Sequence, residues 1–112
     1  MELEELALCT REEFEQELNK LYPEPTDDMN PGDYDAALNK RASIIQRVRM
    51  LRIKALLDGK LTVDQVVDQE HSDNQDLDGI HRGILEKALE MLREGEDRDV
   101  IIEETFNALE LL

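Results

Sequence analysis

The chain has 112 residues and a formal net charge of −15; 40% of residues are apolar but only 4% aromatic, with no Trp. That length fits one domain, with a core of Leu, Ile, Val, Ala and Met large enough to fold without metals or disulfides. The charge opposes nonspecific contact with nucleic acid or anionic membranes, and it suits a basic partner or plain solvation. Cys9 is the single cysteine, which excludes an internal disulfide and fits a reducing compartment. No apolar run approaches the roughly 18 residues of a membrane span. The acidic start Met1-Glu2-Leu3-Glu4-Glu5 lacks the basic-then-apolar order of a signal peptide. The expected location is the cytoplasm, or the host cytoplasm for a viral protein.

Helix signals follow one another along the chain. Residues 2–9 predict a short helix with Leu3, Leu6 and Ala7 inward. Thr10 and Glu13 have capping-box spacing, opening a helix to about Tyr22 with Phe14, Leu18 and Leu21 on one face. Pro23, Pro25 and Asn30-Pro31-Gly32 then mark an irregular Pro/Gly/Asp-rich connection at about 23–33. Asp33 can cap the longest helix, about 34–58, with a main apolar stripe of Ala37, Ile44, Val48, Leu51 and Ala55. Met50, Ile53 and Leu57 lie off that stripe, and a helix apolar on several sides belongs at the centre of a bundle or in an interface. Asp58-Gly59 ends it.

A second capping box, Thr62 to Gln65, opens a short helix to about Gln69 that buries Val63, Val66 and Val67. Residues 71–76 read as a polar turn. The next helix, about 77–94, has a broad apolar face of Leu77, Ile80, Ile84, Leu85, Ala88, Leu89 and Leu92, and Gly95 stops it. Asp97 caps a last helix, about 98–111, whose apolar residues are Val100, Ile101, Ile102, Phe106, Leu109 and Leu112. The expected fold is all-α: a single domain over 1–112 forming a compact bundle of four to five helices, the longest of them central. The terminal Leu111-Leu112 is expected to dock on the body or on a second subunit.

Charge is segregated. Residues 40–60 hold seven bases against the one acid Asp58, a net +6, whereas 1–39 carry −10 and 61–112 carry −11. Lys40, Arg47 and Lys54 stand seven apart in one row along the long helix. They either pair with the acidic flanking helices or face a partner's acid groups; direct nucleic-acid binding is disfavoured by the surrounding field and the lack of interleaved aromatics. The acidic surface is densest around Glu12, Glu13 and Glu17 near one end of the chain and Asp99 and Glu103 near the other. In size and charge the chain is similar to small phage proteins that imitate the phosphate track of DNA.

Catalytic and metal signatures are weak. Asn74-Gln75-Asp76-Leu77-Asp78-Gly79 has the alternating oxygen ligands and glycine of half an EF-hand loop. The twelfth position, where a bidentate Glu belongs, is Leu85, so the stretch reads as a helix-capping turn. His71 and His81 lack the i, i+4 His pairing of a helical zinc site, and His81 sits beside an apolar face as a boundary core residue. Nothing around Cys9 makes it a nucleophile, and no glycine-rich phosphate loop is present. No catalytic residue, metal or cofactor is therefore assigned.

A Leu/Glu-rich helix followed by the basic Ile44-Ile45-Gln46-Arg47-Val48-Arg49-Met50-Leu51-Arg52-Ile53-Lys54 resembles the helical domain of GINS replication-factor subunits over about half the chain. The small β domain common in that family has no counterpart here, and the likeness assigns no site residues. The function expected from the residues is a non-catalytic protein–protein interaction module, an accessory or regulatory factor that can include a homodimer. Its expected contact residues are Met50, Ile53, Leu57, Phe106, Leu109 and Leu112. The alternatives are a phage-type inhibitor that blocks a host protein's basic groove, and a structural subunit of a larger helical assembly.

Overall fold

The computed structural model describes residues 2–70 and 75–112. These residues form six helices and no strand: α1 (Leu3–Leu8), α2 (Arg11–Leu21), α3 (Pro31–Leu57), α4 (Val63–Gln69), α5 (Gln75–Arg93) and α6 (Arg98–Glu110). The all-helical class is as expected. The count exceeds four to five because α1 is a helix of its own: Cys9 turns extended (φ −70, ψ 156) and separates it from α2.

Local chemistry sets the ends. The Thr10 hydroxyl accepts from the Glu13 N–H at 3.2 Å, and the Glu13 carboxylate accepts from the Thr10 N–H at 3.3 Å. Thr62 and Gln65 repeat this reciprocal cap at 3.2 and 2.8 Å, and Asp97 accepts from the Asp99 N–H at 2.8 Å. Such caps satisfy backbone donors that have no partner within the helix. Gly59 and Gly95 end α3 and α5 in the left-handed conformation, at φ 78 and 83.

The start of α3 is a correction. Its cap is Asn30, whose side chain accepts from the Asp33 N–H at 2.9 Å, and Pro31 and Gly32 are already helical. Proline is favoured at a first helical position, where its missing N–H removes nothing. The connection therefore occupies 22–30 rather than 23–33.

The expected centrality of the long helix is corrected as well. At 27 residues, α3 is about 40 Å long, and its buried residues are all in the second half: Val48, Arg52, Ile53, Ala55, Leu56 and Leu57. There α5 and α6 pack on one side and α1 on another. The main core joins Ile53, Leu56, Val66, Val67, Leu85 and Leu109, with Ile101 and Ala88 in an adjoining cluster around Leu57. A separate cluster of Leu6, Ala7, Phe14 and Leu18 closes on Val48 from α1 and α2. Each fully buried aliphatic side chain contributes about 1.5–3 kcal/mol over an exposed one.

This packing corrects part of the expected contact surface. Ile53, Leu57 and Leu109 are core residues of the chain itself, and Phe106 packs half-buried against the main core. The reason is that α5 and α6 fold back over the second apolar side of α3. Met50 and Leu112 stay exposed, and Leu111 is 87% exposed, so the terminal leucine pair does not dock on the body. Leu21, expected inward with Phe14 and Leu18, is also exposed. Among the described residues no helix is long and apolar enough to cross a membrane.

Candidate functional site

The bases of α3 divide into two sets by position. Arg52 is buried, with its Nη1 donating to the Glu70 carboxylate at 3.0 Å, and its guanidinium carbon lies 4.8 Å from the centre of the Phe14 ring. Arg49 donates to the other Glu70 oxygen at 2.8 Å and to Glu110 at 2.5 Å. Burial alone would push the Glu70 carboxyl up, but the hydrogen bonds and charges of Arg49 and Arg52 outweigh it and hold the group below the usual carboxylate range. Burial lowers the Arg52 guanidinium, with Glu70 opposing. The neighbouring Gln69 amide donates to the Ala7 and Cys9 carbonyls at 2.8 and 2.7 Å, satisfying the open C-terminal end of α1. Arg41 donates to Asn19 at 3.1 Å and to the Tyr22 carbonyl, and faces Glu24.

Lys40, Arg47 and Lys54 differ from all of these. They are exposed, and among the described residues none of them forms an ion pair or a side-chain hydrogen bond. The expected pairing of this row with the acidic flanking helices is not what the chain uses; Arg41, Arg49 and Arg52 make those pairs instead.

Three successive clefts run along the same edge of α3, and each is lined by one base of the row. The first, about 380 Å³, has Lys40 beside Leu21, Met29 and Ala37. The second, about 700 Å³, has Arg47 beside Leu21, Ile44, Met50 and Leu51. The third, about 250 Å³, has Lys54 beside Leu8 and Leu51, together with the charged Glu4, Asp58 and Lys60. Leu21 and Tyr22 line both the first and the second, and Leu51 and Glu4 both the second and the third, so the clefts adjoin end to end as a segmented trough. Its floor includes Leu21 and Met50, which are 50% and 41% exposed, and Met29 stands at one end. Glu2 and Glu4 of the α1 side form part of the opposite wall. An apolar trough with a basic edge can hold an amphipathic segment, and sequence reasoning missed it because Leu21 comes from α2 and Met29 from the connection. The seven-residue row of bases and Met50, named as an expected contact residue, were visible beforehand.

The remaining candidates are placed as follows. Glu12, Asp99 and Glu103 are exposed and pair with no base among the described residues, whereas Glu13 caps α2 and Glu17 lies 3.9 Å from Lys20. The acidic set is thus split between α2 and α6. His81 is buried, as expected of a core histidine. Burial, with the Glu13, Glu17 and Glu5 carboxylates, pushes the Cys9 thiol up, which disfavours the thiolate a nucleophile needs. Residues 75–79 of the EF-hand-like stretch are helical, in the first turns of α5, while Asn74 and His71 lie outside the described residues. No group of three or more His, Cys, Asp or Glu able to hold a metal occurs among the described residues. Compared with protein-family models, with curated proteins and with solved structures, the chain gives no match. The likeness to the helical domain of GINS subunits stands on the sequence pattern alone.

Proposed function

We propose that the chain is a non-catalytic protein–protein interaction module, an accessory or regulatory factor that takes a protein partner along the trough of α3. The observation that carries this reading is the row Lys40, Arg47 and Lys54: three bases without partners among the described residues, in a chain of net charge −15, each beside apolar side chains of a cleft. Acids are abundant in the chain, and other bases of α3 find them at 2.5–3.7 Å. Bases left out of such pairs beside exposed Leu21 and Met50 make a surface suited to a charged, partly apolar ligand. The Cys9 thiol, pushed up by burial and the neighbouring carboxylates, is poorly suited to act as a nucleophile, which supports a binding role over catalysis.

The second reading, a phage-type inhibitor that mimics nucleic-acid charge, draws on exposed Glu12, Asp99 and Glu103. A capture experiment from lysate of the source or host separates the two. Wild-type protein and the K40E/R47E/K54E variant are used as bait at low and high salt, with light scattering for mass. A partner captured by wild type, weakened but not abolished by high salt, and lost by the variant is the expected result. A nucleic-acid-binding partner that ignores this variant, is released by salt and is lost on E12K/D99K/E103K would replace it with mimicry. A stable homodimer with nothing else bound would leave only self-association or an assembly subunit.

A further inference from the structure

Resting on that reading, we infer the chemistry of the occupant: an amphipathic helix of a partner protein, with acids at seven-residue spacing along one edge of its apolar face. The spacing follows from the row. Lys40 and Lys54 are 14 positions apart on one helix, a rise of about 21 Å, and two helices laid side by side meet at seven-residue intervals. The apolar face follows from the trough, where exposed Leu21 and Met29 lie beside Lys40 and exposed Leu21 and Met50 beside Arg47. Met29 and Met50 are unbranched and polarisable, and they adapt to varied apolar knobs.

The walls also orient the ligand. The α3 edge is basic, whereas at the Arg47 stretch the facing wall carries Glu2 and Glu4, neither of which forms an ion pair among the described residues. A helix seated there therefore presents its acidic edge to α3 and a base on the other edge near α1. A second copy of this chain fits worse. Two copies of net charge −15 each repel one another, which opposes association. Nucleic acid lacks the apolar face that the trough would cover, and the chain's overall field repels it.

The test uses the full-length protein and a displayed library of amphipathic helices of about 18 residues, long enough to span the row. Apolar positions are fixed, and both edges are randomised among Glu, Lys and Gln. The expected winners carry Glu at seven-residue spacing on one edge and shift the methyl signals of Met29 and Met50. They also bind K40E/R47E/K54E at least about tenfold more weakly, as the loss of several rim ion pairs predicts. Because the three bases have no partners among the described residues, the variant is expected to keep the wild-type circular dichroism and unfolding midpoint, and these are measured first. Winners that move the Met29 and Met50 signals without an acid preference would overturn the acidic occupant and leave the docking module standing. If no helix is selected at all, both readings fall. A short duplex DNA that shifts the row where the helices do not, or a doubled mass with Met29 and Met50 covered in the free protein, would likewise overturn the inference.

Discussion

The second half of α3, from Val48 to Leu57, is enclosed by α1, α4, α5 and α6, while the first half, from Pro31 to Arg47, has no buried residue. The same helix therefore holds two kinds of residue chemistry. In the enclosed half, aliphatic side chains reach full burial, and even an arginine, Arg52, is drawn inside because Glu70 meets it. In the open half, Leu38 and Ile45 remain exposed at 44% and 36%. Residue type does not separate the halves; what separates them is which elements fold back to cover them. A helix that is partly core and partly open can present a binding edge held rigid by its own buried end.

The contrast can be broken first in the enclosed half. Ile53→Ala removes a side chain at 0% exposure and is expected to cost about 2–5 kcal/mol of unfolding free energy, whereas Ile45→Ala in the open half costs under about 1 kcal/mol. Urea unfolding of the two variants checks the difference; equal losses would mean that the open half is covered after all.

The next effect is Glu70→Gln, expected to cost about 3 kcal/mol because it leaves Arg49 and Arg52 without their shared carboxylate. Its pH signature is specific. The Glu70 pKa is lower in the folded chain than unfolded, so its stabilisation is fully present above the unfolded value of about 4.3. It is lost as pH falls through the lower folded value. Wild type should therefore lose more stability than Glu70→Gln between about pH 6 and pH 3, read from urea midpoints at each pH. Parallel curves would remove Glu70 as the acid-sensitive group.

Smaller again is Gln69→Ala, which frees the Ala7 and Cys9 carbonyls and is expected to cost about 1–2 kcal/mol. Amide exchange in α1 and α2 should accelerate more than in α5 and α6, since the lost bonds hold only the former pair. Smallest is each single change in the row: Lys40→Gln, Arg47→Gln and Lys54→Gln should each move stability by less than about 0.5 kcal/mol. A larger loss for any of them by thermal unfolding would show that the open edge has a structural partner within the chain.

The ends of the helices were readable from sequence where the signal is local. Thr10 with Glu13, Thr62 with Gln65, Asp97, Gly59 and Gly95 all act within a few residues of themselves, and each stands where its pattern placed it. The entry to α3 was misplaced because proline and glycine were read as breakers, although Pro31 sits at the one helical position that favours it. Residues whose setting depends on distant elements were not readable. Arg52 meets Glu70 across 18 positions, and nothing near either residue announces it. Ile53, Leu57 and Leu109 looked like surplus apolar surface only because periodicity does not reveal which helix returns to cover them. The bases of the candidate site were visible as a row and Met50 as a contact residue, but the rest of its apolar floor, assembled from α1, α2, α3 and the connection, was not.

Arg41 has a consequence for where the chain can be lengthened. Its side chain, 13% exposed, grips Asn19, the Tyr22 carbonyl and Glu24, while Asn30 independently fixes the start of α3. Both ends of the connection are thus anchored by contacts that do not involve Thr26, Asp27 or Asp28, which are exposed. Closing a longer loop between fixed ends is a weak function of length, about 0.6 kcal/mol for each doubling. The stretch at 26–28 is therefore the natural insertion point for a fluorophore-bearing peptide or a small reporter domain, placed next to Met29 at the end of the trough, where it can signal occupancy without loosening the helices on either side.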